Sequence, residues 1–247
     1  MENTLLWKAL GRNFIISILL FGALLGLLWL VETYLLPCGE AGRGLLLRWH
    51  DPAWVVGIPA SVIGVAYILT VRDPNNYTGF YAGIIMSALL GVQFILEQQY
   101  DSAALYYAVF IPFQILSIVN WRKPRKESDE PFVPEYLSAK ERTITLLITA
   151  LIIAADYVLC TYTFMHDGLT DNILIKLCNG LLIASSIFAN YWLIYRKIDA
   201  WFCWVAYSIA GIVLFIIIGN IFSIVLFTFF LVINGSAGLA WIKLRKI

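Results

Sequence analysis

Long apolar runs, separated by short stretches rich in Arg, Lys, Asp and Pro, recur along the whole chain. Eight of them approach or exceed about 18 residues, the length a helix needs to cross about 30 Å of hydrocarbon. They are spans A (13–36), B (53–71), C (78–97), D (102–121), E (143–164), F (172–194), G (201–218) and H (221–242). Only helices suit them, because a lipid-facing segment must satisfy its own backbone polar groups and no alternating barrel pattern is present. The pattern predicts an all-α integral membrane protein with eight transmembrane helices.

Composition agrees. The 247 residues are 61% hydrophobic and 13% charged, far from the mix of a soluble domain. Lys8 and Arg12 precede span A as they would precede a signal peptide, but the apolar run is too long. The stretch "LLPCGEAG" also puts Pro37 where cleavage needs a small residue, so span A is expected to stay in the mature protein.

Charge then sets orientation. With the N-terminus inside, the inner connections hold fourteen Lys and Arg residues and the outer ones only Arg43 and Arg48. The positive-inside rule therefore predicts that both termini are cytoplasmic. The basic cluster "WRKPRK" after span D is part of this bias, so no nucleic-acid partner is expected. The loop that continues it, "RKPRKESDEPFVPEY", reads as an exposed connector.

The chain also repeats itself. Placing Arg72 on Arg196 superposes "RDPNNYTGFYAGI" on "RKIDAWFCWVAYSI", bringing Tyr77 onto Trp201, Phe80 onto Trp204 and Gly83 onto Tyr207. Further on, "QILSIVNWRK" and "NGSAGLAWIK" each place an amide seven residues before a tryptophan. Spans B to D and F to H cross the membrane in the same sense, so they are parallel three-helix repeats, and span E is the inverting linker that such repeats require. The expected organisation is an N-terminal segment with one extra helix and an outer loop (1–52) and a first repeat (53–121). A connector with the linker helix (122–171) and a second repeat with the tail (172–247) complete it. This is a transporter plan, related to that of the SWEET family, with the substrate site expected near the repeat interface.

At about 1.5 Å rise per residue, Ser208 lies about 10 Å into span G, and Gln114 and Asn234 lie at a similar depth in D and H. Ser87 and Ser186 fall within a turn of that level and Asn190 a turn nearer the cytoplasm. On span G, Trp201, Trp204, Ser208 and Gly211 share one stripe, with Tyr207 beside it, and span C adds Tyr81. Aromatic faces attract planar or cationic ligands, and amides and hydroxyls read sugar hydroxyls or a carboxamide. The set suits a flat heteroaromatic ring joined to a polar arm. Tryptophan also favours the membrane interface. For Trp201 both roles stand open, whereas Trp121 and Trp241, beside lysines at helix ends, read as interfacial anchors. Gly83, Gly211 and Gly219 offer pliable points or close helix contacts.

From span B to the C-terminus the chain resembles the PnuC transporters of nicotinamide riboside, through "YRKIDAWFCWVAYSI" and "INGSAGLAWIK". The family shows two tryptophans three apart followed by an asparagine. Here Trp201 and Trp204 match, Ser208 takes the asparagine position, and Gln114 replaces the family's amide in the first repeat. The resemblance implies facilitated diffusion of the vitamin through a bacterial inner-membrane carrier, trapping by a separate cytoplasmic kinase, and a homotrimer. Related branches carry thiamine or riboflavin, and a sugar carrier stays open as well.

Asp156 in span E is an intramembrane carboxylate, which by default suggests proton or cation coupling. Lys176 lies at a compatible depth in span F, and a structural charge pair explains both. A membrane enzyme would need clustered carboxylates, histidines or metal ligands. His50 and His166 stand alone in outer loops, and Cys38, Cys160, Cys178 and Cys203 lack metal-ligand spacing. Neither catalysis, a cofactor nor a metal is expected.

Overall fold

A computed structural model of the chain describes residues 2–34, 51–96, 100–122, 133–162, 172–219 and 221–245. The expectations for Pro37, Cys38, Arg43, Arg48, His50 and His166, for residues 123–132 of the connector and for the Cys160 side chain lie outside the described residues. Helices α1 (Glu2–Tyr34), α2 (Pro52–Val71) and α3 (Gly79–Leu96) are followed by α4 (Tyr100–Leu105), a π-helical turn (Tyr106–Phe110) and α5 (Ile111–Arg122). Then come α6 (Ala139–Tyr162), α7 (Ile173–Ile194), α8 (Asp199–Ile218) and α9 (Ile221–Arg245). Among the described residues, eight segments are long and apolar enough to cross a membrane, the α4–π–α5 run counting as one.

The chain divides into two compact units, Met1–Lys126 and Glu127–Ile247. In the first, α1 packs on α2, α2 on α3, and α3 on the α4–π–α5 run. In the second, α6 packs on α7, α7 on α8, and α8 on α9. Helices α2 and α7 start with the same device. Asp51 caps α2 by accepting from Ala53 N–H at 3.0 Å, and Asn172 caps α7 by accepting from Leu174 N–H at 2.9 Å. Each side chain satisfies a donor that a helix start leaves orphaned.

Helix α1 begins eleven residues before span A, at Glu2. The early start is anchored in the α2–α3 turn, because the Leu6 carbonyl accepts from Asn76 Nδ2 (3.4 Å) and Thr78 Oγ1 (3.3 Å). Span D is not one regular helix. Pro112 has no N–H for the Ala108 carbonyl and its ring crowds that carbonyl, and the backbone widens just before it, so that Ile111 N–H bonds Tyr106 O five residues back.

The connector before α6 is exposed only in part. Pro134 and Leu137 are buried, and the segment is strapped onto the α7–α8 turn. Ile198 N–H donates to Glu135 O (2.9 Å), Lys197 Nζ pairs with Glu135 (2.8 Å), and Leu137 N–H donates to Asp199 Oδ2 (2.9 Å). Arg142 Nε reaches the other Asp199 oxygen at 2.9 Å. Ser138 and Glu141 then start α6 with a reciprocal capping box. The turn itself closes α7 with Arg196 in the left-handed region (φ 55). Arg196 N–H reaches Leu193 O and Lys197 N–H reaches Trp192 O, the Schellman pattern.

Asp156 and Lys176 each have a neutral partner on the neighbouring helix. Asn179 Nδ2 donates to both Asp156 oxygens (3.3 and 3.2 Å), and Lys176 Nζ donates to Thr161 Oγ1 (2.9 Å) while lying 5.2 Å from the Tyr157 ring centre. The two charges thus sit in one polar seam between α6 and α7, through partners the sequence reading had not paired with them.

Candidate functional site

In the second unit, α8 and α9 meet through a ladder of matched side chains. At one end Trp201 and Trp241 pack edge to face with centroids 5.5 Å apart, both essentially inaccessible. Gly238 makes room, since a Cβ there would lie 3.0 Å from the Trp201 Cβ. Two turns on, Asn234 Nδ2 lies 3.4 Å from Ser208 Oγ, which donates to the Trp204 carbonyl at 2.8 Å. Beyond that, the Phe227 ring packs against the bare backbone of Gly211. Its ring also contacts Tyr207 at 5.3 Å, and Tyr207 meets Trp204 edge to face at 5.5 Å.

The first unit builds the same ladder between α3 and the α4–π–α5 run. Phe80 and Trp121 pack edge to face at 4.7 Å. Gln114 lies against Gly83, where a Cβ would come within 2.8 Å of its side-chain oxygen, and its Nε2 is 3.4 Å from the buried Tyr67 hydroxyl. Tyr107 lies against Gly91, and its hydroxyl donates to Ala88 O at 3.0 Å. Tyr107, Gln114 and Trp121 are spaced by seven, as are Phe227, Asn234 and Trp241, so each set forms one stripe on its helix. The two ladders correspond at an offset of 120 or 121 positions.

That offset corrects the sequence alignment of Arg72 with Arg196. The α2–α3 turn spans 72–78 and the α7–α8 turn only 195–198, so matching the arginines slips α8 by about one helical turn. Phe80 is the counterpart of Trp201 and Ser87 that of Ser208, whereas the alignment had put Phe80 on Trp204.

Among the residues singled out from sequence, Trp201, Trp204, Tyr207, Ser208 and Asn234 come together on the α8–α9 ladder. Gln114 lies on the equivalent ladder with Gly83, and Ser87 is buried one turn further along α3. Tyr81 lies elsewhere, against Trp7 of α1 with centroids 5.3 Å apart. Ser186 and Asn190 are buried on α7 and bond along their own helix, to Ile183 O (2.8 Å) and Ser186 O (2.9 Å). Trp121, Trp201 and Trp241 are enclosed by their units, which removes the interfacial-anchor reading for all three. Gly83 and Gly211 are close-contact glycines, while Gly219 ends α8 in the left-handed conformation (φ 77).

Three polar atoms on these ladders are buried without a hydrogen-bond partner among the described residues: Ser87 Oγ, Trp201 Nε1 and Asn234 Oδ1. A buried polar atom left unpaired costs about 1–3 kcal/mol, so each of the three calls for a partner that the described side chains do not supply. Tyr67, Gly91, Tyr107 and Phe227 were missed from sequence. The seven-residue spacing of Tyr107 and Phe227 before each amide was the available signal.

A family model described as nicotinamide mononucleotide transporter matches residues 54–243. No curated protein matches the chain at significance. Among solved structures, the crystal structure of the vitamin B3 transporter PnuC is similar in fold, with a TM-score of 0.63 at 16% identity over 96% of this chain and 97% of that one.

Proposed function

Because the chain belongs to the nicotinamide mononucleotide transporter family, a family of membrane transporters and not of enzymes, we propose that it carries nicotinamide riboside across the membrane by facilitated diffusion. The unpartnered buried atoms on the two ladders are the observation that supports this most directly. Asn234 Oδ1 is an acceptor and Trp201 Nε1 a donor, the complement of a carboxamide or of ribose hydroxyls. Trp204 and Tyr207, half-buried beside them, supply aromatic faces for a cationic pyridinium ring. None of Trp201, Trp204, Tyr207, Ser208 and Asn234 is cationic, so a phosphorylated ligand would lack a counter-charge there. This favours the riboside over its mononucleotide.

In this reading Gln114 and Ser87 form the counterpart surface in the first repeat, while Tyr81, Ser186 and Asn190 brace the helices behind the two surfaces. The parts assigned from sequence carry over: repeats at 53–121 and 172–247, an N-terminal segment at 1–52 and a connector with linker helix at 122–171. The protein works as a homotrimer in a bacterial inner membrane with cytoplasmic termini, and a separate kinase traps the product. The Asn179 contact gives Asp156 a structural role in the α6–α7 seam, which favours uniport over proton coupling.

Thermal-shift titration of the detergent-solubilised protein tests the substrate, since a ligand that binds only the folded state stabilises it by mass action. Nicotinamide riboside is expected to raise the unfolding temperature more than thiamine, riboflavin, the mononucleotide or simple sugars. Trp204→Ala and Asn234→Ala should each weaken that binding about tenfold or more. Equal stabilisation by a sugar, unaffected by Trp204→Ala, would replace the vitamin with a carbohydrate. Proteoliposome flux under an imposed pH gradient tests the mode: accumulation above equilibrium that Asp156→Asn abolishes would establish proton coupling instead.

A further inference from the structure

A second polar feature of the first unit lies away from its ladder, where α1 crosses the end of α2. A cleft of about 340 Å³ opens there between Arg12, Asn13 and Ile16 of α1 and Thr70, Arg72 and Asp73 at the α2 end, a volume within the range of about 300–1,000 Å³ of small-ligand sites. Its floor is neutral and already bonded. Asn13 Nδ2 donates to Thr70 Oγ1 at 3.0 Å, and Thr70 Oγ1 donates to Ala66 O at 2.7 Å. Charge enters from the walls. Arg12 comes from α1 and Arg72 from the α2 cap, and they face one carboxylate, that of Asp73, whose Oδ1 accepts from Asn75 N–H at 3.0 Å. The cleft is therefore a net cationic recess with a hydrogen-bonded base.

Its position selects the kind of anion. Arg72 follows directly on the membrane-spanning stretch Pro52–Val71, so the cleft opens where hydrocarbon gives way to headgroups. Ile16 lines it, and Leu19, one turn further into the membrane on α1, is exposed. A cationic recess that continues onto an exposed apolar stripe fits a molecule with an anionic head and a hydrocarbon tail. Helix α1 lies outside the residues that the family model matches, 54–243, while the α2 wall of the cleft lies within them.

We propose that this cleft seats the headgroup of an anionic phospholipid, its phosphate between Arg12 and Arg72 and an acyl chain along Ile16 and Leu19. Basic recesses between membrane helices at the headgroup level are suited to such lipids, and planar guanidinium groups to phosphate oxygens. Bound in this way, the lipid ties α1 to α2 through groups that neither helix supplies.

The full-length protein, delipidated in neutral detergent, is titrated with phosphatidylglycerol, with phosphatidylcholine and with inorganic phosphate, and bound lipid is counted by native mass spectrometry. Phosphatidylglycerol is expected to bind in preference to phosphatidylcholine, and millimolar phosphate to leave it in place. Arg12→Gln should weaken it about fivefold and Arg12→Gln with Arg72→Gln about 25-fold. Lys8→Gln, on the same helix but outside the cleft, should leave it unchanged. Arg12 is exposed, so its single variant decides the matter if the double variant fails to fold. Equal binding of the two lipids, displacement by free phosphate, undiminished binding in Arg12→Gln, or an equal loss in Lys8→Gln would each overturn the proposal.

Discussion

Gly211→Ala is expected to destabilise the protein by about 3 kcal/mol, at the upper end of what overpacking a core costs. A Cβ at this position would overlap the Cδ1, Cε1 and Cγ atoms of Phe227. Because Cγ is at the root of the ring, no small rotation of the side chain clears all three. The helices must part, and that strains Asn234 against Ser208 and Trp241 against Trp201 on the same pair of elements. Unfolding in detergent, followed by tryptophan fluorescence, should shift down by roughly 10 °C. Phe227→Ala removes the obstruction but costs about 3–5 kcal/mol by itself, so the double variant should lose clearly less than the sum of the two single losses. If Gly211→Ala alone leaves the transition where it was, the close approach of α8 and α9 is wrong.

Asp199→Ala is the second large effect, about 2–3 kcal/mol. One carboxylate holds two things together: it accepts from the buried Leu137 N–H and pairs with Arg142. Removing it leaves a buried backbone donor without its partner. Truncating the other end is milder. The Arg142 side chain is 50% exposed and that of Asp199 only 11%; Arg142→Ala removes the exposed cation but leaves the Asp199 carboxylate bonded to Leu137 N–H, so it should cost about 1–2 kcal/mol, less than Asp199→Ala. Hydrogen exchange locates the damage. Protection at Leu137 and Ile198 should fall sharply in Asp199→Ala and only slightly in Arg142→Ala; equal losses would mean that the ion pair, not the backbone bond, secures the strap.

How far the sequence foretold this depends on which force acts where. The spans were legible because hydrocarbon imposes one requirement on every residue that faces it, and length and apolarity record that requirement directly. Asn234 and Gln114 were legible because an amide in a membrane helix is costly enough to need a reason. The aromatic assignments fared less well. Trp121, Trp201 and Trp241 stand near helix ends, where the interface and the core draw the same residue types, and only packing distinguishes them. The repeat register failed for a local reason, since two turns of unequal length both carry an arginine. The π turn was not legible either, because Pro112 announces a disturbance of the helix without fixing whether it bends or widens.

The two tethers follow one plan. In the first unit the Leu6 carbonyl of α1 is held by the turn that follows α2, and in the second the Glu135 carbonyl just before α6 is held by the turn that follows α7. The extra helix and the linker thus stand in the same relation to their own triplets, each packed on the first helix and tethered to the turn after it. Each unit therefore groups four crossings on one plan, with the α4–π–α5 run counted as one. Four crossings bring a polypeptide back to the side of the bilayer from which it started.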